Sequence, residues 1–476
     1  MHNCCYYNQE HPLNAALGIQ IFFLLVGIVP ITFVYNFGAY DFSIGVLLAY
    51  TIIFYSGLRL SMFAMYGEKR LITMTFYIYV YVFLGFAPFL QSISKDSSLK
   101  ASCSSENFLM AYLFIFVGLF FYEIGKVITP YKTKAFIKYA RTLAVYRIAD
   151  PRRILYFSIV AGTIAIILTI YLGGTNILFL SRYETFLAFR EVSATEKTAY
   201  SMIIATLLRV PVFVAFFSLW ILLWNDKKSD HPYLSVNYKV AFFVLLLINL
   251  IVNNPISLAR YWFGTIIFSL AFTMFRWHKI FSFTIWSIGM IMLIIVVFPF
   301  ADMFRYTTEV DIYHLQYSAS ITKVFLYKAD FDSFKQIVNS AIFVENKGLT
   351  FGRQFLGTLL FWFPRSIWTT KPLASGVLVA GHMGYVYTNL SMPLWGEAYI
   401  DGGLIGIMLC FTIYGFLTHV IEEIYLTESS PYLSFQDLFV PCFAAYQIFM
   451  LRGSLMPCFA YFVPLFLCLL LITKKI

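Results

Sequence analysis

Apolar runs of roughly 17–25 residues, long enough to cross a hydrocarbon core as a helix, recur along the whole chain. They fall near 13–35, 43–65, 71–92, 107–129, 153–175, 200–224, 239–252, 258–275, 280–300, 399–418, 433–450 and 457–473. By hydropathy this pattern predicts about twelve transmembrane helices. The seventh run is short and meets Asn253-Asn254-Pro255, which predicts a tilt or a cap at that point. Most connections between runs are short. Residues 301–398 are the exception, a long segment between the ninth and tenth spans.

Composition agrees with a bilayer environment. Of 476 residues, 60% are hydrophobic and only 12% are charged, with a mean hydropathy of +0.76. So little charge cannot cover the surface of a soluble domain. No basic cluster precedes the first span, so no cleavable leader is expected. Internal repeats and low-complexity linkers are absent, which predicts one integral-membrane domain over 1–476.

The net charge of +10 reads as a topology signal. One set of short loops and ends carries Lys69, Arg70, Lys132, Lys134, Lys138, Arg141, Arg147, Arg152, Arg153, Lys227, Lys228, Lys239, Arg276, Lys279, Lys474 and Lys475. The opposite short loops carry only Lys95, Lys100, Arg182, Arg190, Lys197 and Arg452. That asymmetry predicts both termini in the cytoplasm and the 301–398 segment outside it. No soluble basic domain exists to bind nucleic acid, although the 130–153 loop has the charge to attract anionic lipid headgroups. Of seven cysteines only Cys103 faces the oxidising side, so no intramolecular disulfide is expected. No spacing suggests a zinc site.

The 301–398 segment is rich in Phe, Tyr, Trp and Leu and has helical periodicity. Phe331, Phe334, Val338, Ala341 and Ile342 share one face of a helix predicted over 330–344. The run 351–363 is apolar but too short to span, and Pro364 ends it. Both are predicted to lie at the membrane interface, with aromatics at headgroup depth. Polar residues capable of chemistry concentrate here: Arg353, Arg365, Lys371, His382, Asn389, Glu397 and, just beyond, Asp401. Glycines and prolines punctuate 364–406, so the backbone turns sharply among them.

Two stretches, Arg365-Ser-Ile-Trp-Thr-Thr-Lys-Pro372 and Tyr387-Thr-Asn-Leu-Ser-Met-Pro-Leu-Trp-Gly-Glu-Ala-Tyr399, resemble O-antigen polymerases of the Wzy type. So does Asn253-Asn-Pro-Ile-Ser-Leu-Ala-Arg-Tyr-Trp-Phe263, and the plan of about twelve spans with one dominant late loop is similar. The family's arginine and glycine with ten residues between them are matched by Arg365 and Gly376. A second copy is not found, since neither Arg182 nor Arg190 has a glycine in register. The resemblance implies a GT-C-like, all-α polytopic glycosyltransferase of the bacterial inner membrane with a periplasmic active site. Its substrates would be undecaprenyl-pyrophosphate-linked oligosaccharide repeats, the growing glycan passing to the non-reducing end of a new repeat. A chain-length regulator and a flippase are the implied protein partners.

Such a reaction makes three demands. A pyrophosphate leaving group calls for cations, best supplied by arginine. The candidates are Arg260, Arg305, Arg353 and Arg365, with Lys371 as a point charge. Arg209, deep in the sixth span, should face the bundle interior, on substrate or in a buried pair. A base for the acceptor hydroxyl is supplied by His382, between glycines, or by Glu397, with burial able to raise its pKa. Sugar recognition falls to Tyr385, Tyr387, Asn389, Trp395 and Tyr399, though aromatics in membrane proteins also form interfacial belts. No metal or cofactor is implied. An O-antigen ligase would share donor, topology and arginines. A flippase or transporter would instead show internal repeats and a midplane cavity.

Overall fold

The computed structural model describes residues 11–35, 40, 42–66, 70–94, 105–128, 147–180, 184, 198–227, 234–258, 260–274, 287–294, 325–326, 329–385, 390–427 and 432–475. The chain is mostly helical. Among the described residues, eight helices are long and apolar enough to cross a membrane. They are α1 (Asn14–Val34), α2 (Ile44–Tyr66), α3 (Leu71–Ile93), α4 (Glu106–Ile128), α5 (Pro151–Tyr171), α6 (Ile203–Asp226), α12 (Leu394–Thr427) and α14 (Leu455–Ile472). Three more occupy predicted positions: α7 (Val236–Val252) and α8 (Arg260–Met274), which are shorter, and α13 (Phe435–Arg452), which has a charged residue near each end. Of the predicted ninth span, only 287–294 lies within the described residues, and it is helical.

The central mast is α3. It is apolar on all sides, and its whole length is buried, as expected of a helix with no polar face. Pro88 lacks the N–H that would bond Leu84, and the helix widens into a π-helical stretch over Val80–Phe86 just before it. Pro30 follows a similar stretch, Leu24–Ile28, in α1. Helices α4 and α12 pack in close contact. A Cβ on Gly125 would lie 2.2 Å from the Thr412 carbonyl oxygen, and one on Gly415 would lie 2.2 Å from that of Tyr122. The two backbones therefore touch, as small residues permit in membranes.

At one end of the bundle, strand β1 (Arg147–Ala149) pairs antiparallel with β2 (Thr473–Lys475). Lys474 meets Asp150 at 3.2 Å, and Arg147 donates to the Leu470 and Thr473 carbonyls, both at 2.7 Å. Arg70 pairs with Glu423 at the same end. At the other end a bridge joins Tyr40 to Ser94, and Gln91 donates to the Phe325 and Phe331 carbonyls. Among the described residues, 70, 147–150, 423 and 473–475 thus gather at one end, and 40, 91–94 and 325–331 at the other.

The second end carries a cap of short helices: α9 (Ser333–Lys347), α10 (Arg353–Leu359) and α11 (Ser375–His382). One expectation needs correction here. Predicted as an interfacial helix, α9 instead buries both faces: Phe334, Ile337 and Val338, but also Gln336, Asn339 and Ser340. Phe334 packs on Phe108 and Tyr112 of the α4 region, while Asn339 bonds Gln336 and the Tyr385 hydroxyl. Its polar face meets protein rather than water, which periodicity alone cannot reveal. The predicted 351–363 helix is also shorter, ending at Leu359.

Candidate functional site

Under this cap, α12 is broken. Gly403 takes φ 61°, ψ −148°, a conformation open to glycine, so 394–402 forms a separate segment ahead of the long span. The break removes the helical partners of the preceding carbonyls. The Ile400 and Asp401 carbonyls instead accept from the backbone N–H of Thr350 (2.9 Å) and Gly352 (3.2 Å). The Asp401 carboxylate accepts the Gln354 and Phe355 N–H at 2.9 and 2.7 Å and the Thr350 hydroxyl. It therefore satisfies the exposed donors at the start of α10.

One turn earlier, Glu397 does the same for two other helices. Its Oε1 accepts the N–H of Leu455, the first residue of α14, at 2.9 Å. Its Oε2 accepts the hydroxyl of Ser375, the first residue of α11, at 2.5 Å. Next to it the Gly376 N–H donates to Ser454 Oγ at 2.9 Å. A Cβ on Gly376 would lie 2.1 Å from the Leu390 carbonyl oxygen, so only glycine fits there. Both oxygens of Glu397 are engaged in a buried clasp. Asp401 stands out in the sequence by residue type, whereas Ser454 does not. A carboxylate that caps helices remote in sequence leaves no local signal.

The predicted cations separate into two kinds. Arg353 and Arg365 are exposed. Arg353 Nη2 donates to the Thr370 carbonyl at 2.5 Å, and Arg365 donates through Nη1 and Nη2 to the carbonyls of Lys371 and Pro372 at 2.6 and 2.8 Å. Each guanidinium has five donors and keeps several unused by these contacts. Lys371 instead turns inward, with Nζ on the Phe361 and Phe363 carbonyls at 2.6 and 3.0 Å. Burial, with the nearby Arg365 guanidinium, holds its pKa below the usual lysine range. Its expected role as a free point charge is corrected: it braces the 361–371 loop.

His382 closes α11 and is half-buried. Its Nε2 lies 3.3 Å from Asn346 Nδ2, and the Phe343 ring meets its edge. It lies roughly 10 Å along α11 from Ser375.

The aromatic assignments divide as well. Trp395 is fully buried, its indole stacked on Phe76 and Tyr79 and packed on Phe411, with Nε1 reaching the Ile115 carbonyl. No face is left for a sugar, so this assignment is corrected to packing. Tyr399 is half-buried and stacks on Phe114 at 3.9 Å. Tyr385 is half-buried beside Asn339 and Lys335. Tyr387 and Asn389 lie outside the described residues, as do Arg305 and the side chain of Arg260. Arg209 is buried in α6, where its carbonyl accepts from Asn253 at 3.2 Å. Asn253 also accepts Trp262 Nε1, so the Asn253-Asn254 turn joins α6, α7 and α8.

A second charged feature completes this end. Asp332, just before α9, meets Arg452 at the end of α13 at 3.5 Å, and Arg452 lies over the Tyr261 ring at 4.7 Å. Burial pushes the Asp332 carboxyl above its ordinary pKa, opposed by Arg452. Among the described residues, no three His, Cys, Asp or Glu side chains gather as a metal ion would require. No protein-family model, curated protein or solved structure matches this chain.

Proposed function

We propose that this chain is a membrane glycosyltransferase that polymerises undecaprenyl-pyrophosphate-linked oligosaccharide repeats, with the cap on the extracytoplasmic side. The observation that carries the reading is the pair of exposed arginines, Arg353 and Arg365, on an apolar loop beside the start of a candidate span. A pyrophosphate attached to a membrane-bound prenyl chain lies at that depth. Two guanidiniums held by backbone carbonyls are already oriented to receive it. The match of Arg365 and Gly376 to the polymerase pattern supports the same assignment.

In this reading the acceptor hydroxyl attacks the anomeric carbon of the growing glycan. The carbon–oxygen bond to pyrophosphate breaks, and the arginines stabilise the charge that develops on the departing group. The hydroxyl proton passes to His382, whose imidazole has a ring nitrogen suited to accept it. Glu397 acts indirectly, by fixing the helix that ends in His382. Tyr399 and Tyr385 are the half-buried aromatics left to contact sugar.

The test is a gel of surface polysaccharide from a deletion strain. A single-repeat band in place of a ladder, restored by wild type but not by Arg365→Ala, supports polymerisation. Long chains accumulating on carrier lipid indicate a ligase, which would use the same donor. Unpolymerised repeats retained on the cytoplasmic face would indicate a transporter and overturn the assignment.

A further inference from the structure

The segment 351–373 is built inside out compared with a loop in water. Its lysine points inward to two carbonyls, while its large apolar side chains point outward. Phe351 is 85% exposed, Leu359 61%, Trp362 63% and Ile367 69%, with Leu356 and Leu373 also exposed. Leaving such side chains in water forgoes the free energy of burying them. Phe351 adds strain: with φ 50° it is the only non-glycine residue at positive φ among the described residues. That conformation leaves the ring largely exposed.

The position of the loop identifies what covers it. In α10, Gly357 packs against Pro372 and the methyl of Met456, the second residue of α14. The loop therefore stands level with the first turn of a candidate membrane span. Leu356 and Leu359 are exposed beside Gly357 on the same helix. Arg353 and Arg365 are exposed within the same loop, and cations interspersed with apolar residues match an acyl boundary under a layer of phosphates.

We infer that residues 351–373 form a monotopic element inserted into the leaflet next to them. Leu359, Trp362 and Ile367 enter the acyl boundary, and Arg353 and Arg365 bind the phosphates of anionic phospholipids. This inference stands without the glycosyl-transfer reading, since it rests on exposure and position alone. It also gives the loop a way to recruit a lipid-borne substrate from the membrane plane.

The experiment compares intrinsic fluorescence of the full chain and Trp362→Phe in nanodiscs of phosphatidylethanolamine and phosphatidylglycerol. The difference spectrum isolates Trp362. Quenching of that component by acyl-brominated phospholipid, with protection from aqueous iodide, is the expected result. Quenching by iodide instead places the loop in water and overturns insertion. Protection from both means that another protein surface covers the loop, which also overturns it. Should Trp362→Phe fold poorly, Ile367→Trp compared with wild type repeats the reading at a second exposed position. For the phosphate contact, Arg353→Gln or Arg365→Gln should each weaken preference for phosphatidylglycerol over phosphatidylcholine roughly five-fold. Unchanged preference in both variants would remove the anionic lipid from the proposal.

Discussion

Glu397 accepts the backbone N–H of Leu455 at 2.9 Å, across fifty-eight positions of sequence, and thereby joins the broken start of α12 to the first turn of α14. Its second oxygen holds Ser375, so one buried carboxylate fixes the starts of two helices. Glu397→Leu leaves two buried donors unmet and should lower stability by about 2–4 kcal/mol, read as thermal unfolding in detergent. Glu397→Gln keeps an acceptor for Leu455 and should retain most of the stability and measurable turnover. A folded Glu397→Gln protein with no turnover at all would show that this carboxylate acts on substrate instead.

Asp401 plays the matching role for α10, and Asp401→Ala removes acceptors for Gln354, Phe355 and Thr350. The cost should be about 1–2 kcal/mol, typical of a lost helix cap. The effect should be local. Hydrogen exchange should rise over 350–360 while α14 keeps its protection, and uniform loosening of the bundle would contradict a capping role.

Gly376 has no room for a side chain, since the Leu390 carbonyl and Ser454 hydroxyl occupy the space. Gly376→Ala must displace one of them and should reduce the yield of folded protein and its activity together. For Gly381, later in the same helix, no atom of the described residues beyond its own stretch of helix lies within 4 Å of its Cβ position. Gly381→Ala should therefore be tolerated, and equal damage from both substitutions would remove the steric explanation.

The Asp332–Arg452 pair predicts both a mutational and a pH signature. Removing either partner leaves a buried charge, at a cost of roughly 3–5 kcal/mol, whereas Asp332→Asn with Arg452→Met should recover part of it. Burial raises the Asp332 pKa above its ordinary value of 3.8. Its protonation therefore adds stability that is complete below 3.8 and is lost as pH rises through the higher folded-state value. Comparing melting curves of wild type and the double variant between pH 4 and 7 isolates this contribution. A wild-type advantage that grows with pH over that window would have the wrong sign.

The helices were legible because hydrocarbon imposes length and apolarity on every span. Predicted boundaries such as 43–65 and 71–92 fall within a residue or two of Ile44–Tyr66 and Leu71–Ile93. The predicted 399–418 run missed the start of α12 by five residues, because Glu397 groups by residue type with the polar positions of the preceding loop. Residue type singled out Arg353, Arg365 and His382, and the structure leaves these three exposed or half-buried. It could not separate them from Lys371, Trp395 and Glu397, whose roles depend on partners such as Phe361, Phe411 and Leu455. A backbone acceptor or a packed ring face is fixed by tertiary structure and has no sequence signature.

The most direct test of the central claim uses purified protein in liposomes supplied with an undecaprenyl-pyrophosphate-linked repeat unit. A ladder of lengthened glycans with stoichiometric release of undecaprenyl pyrophosphate is expected. A loss of roughly 10²-fold or more in rate is expected for Arg365→Ala, as for removal of a group that stabilises transition-state charge. Wild-type protein that binds the lipid-linked repeat but neither lengthens the glycan nor releases the carrier would contradict the claim.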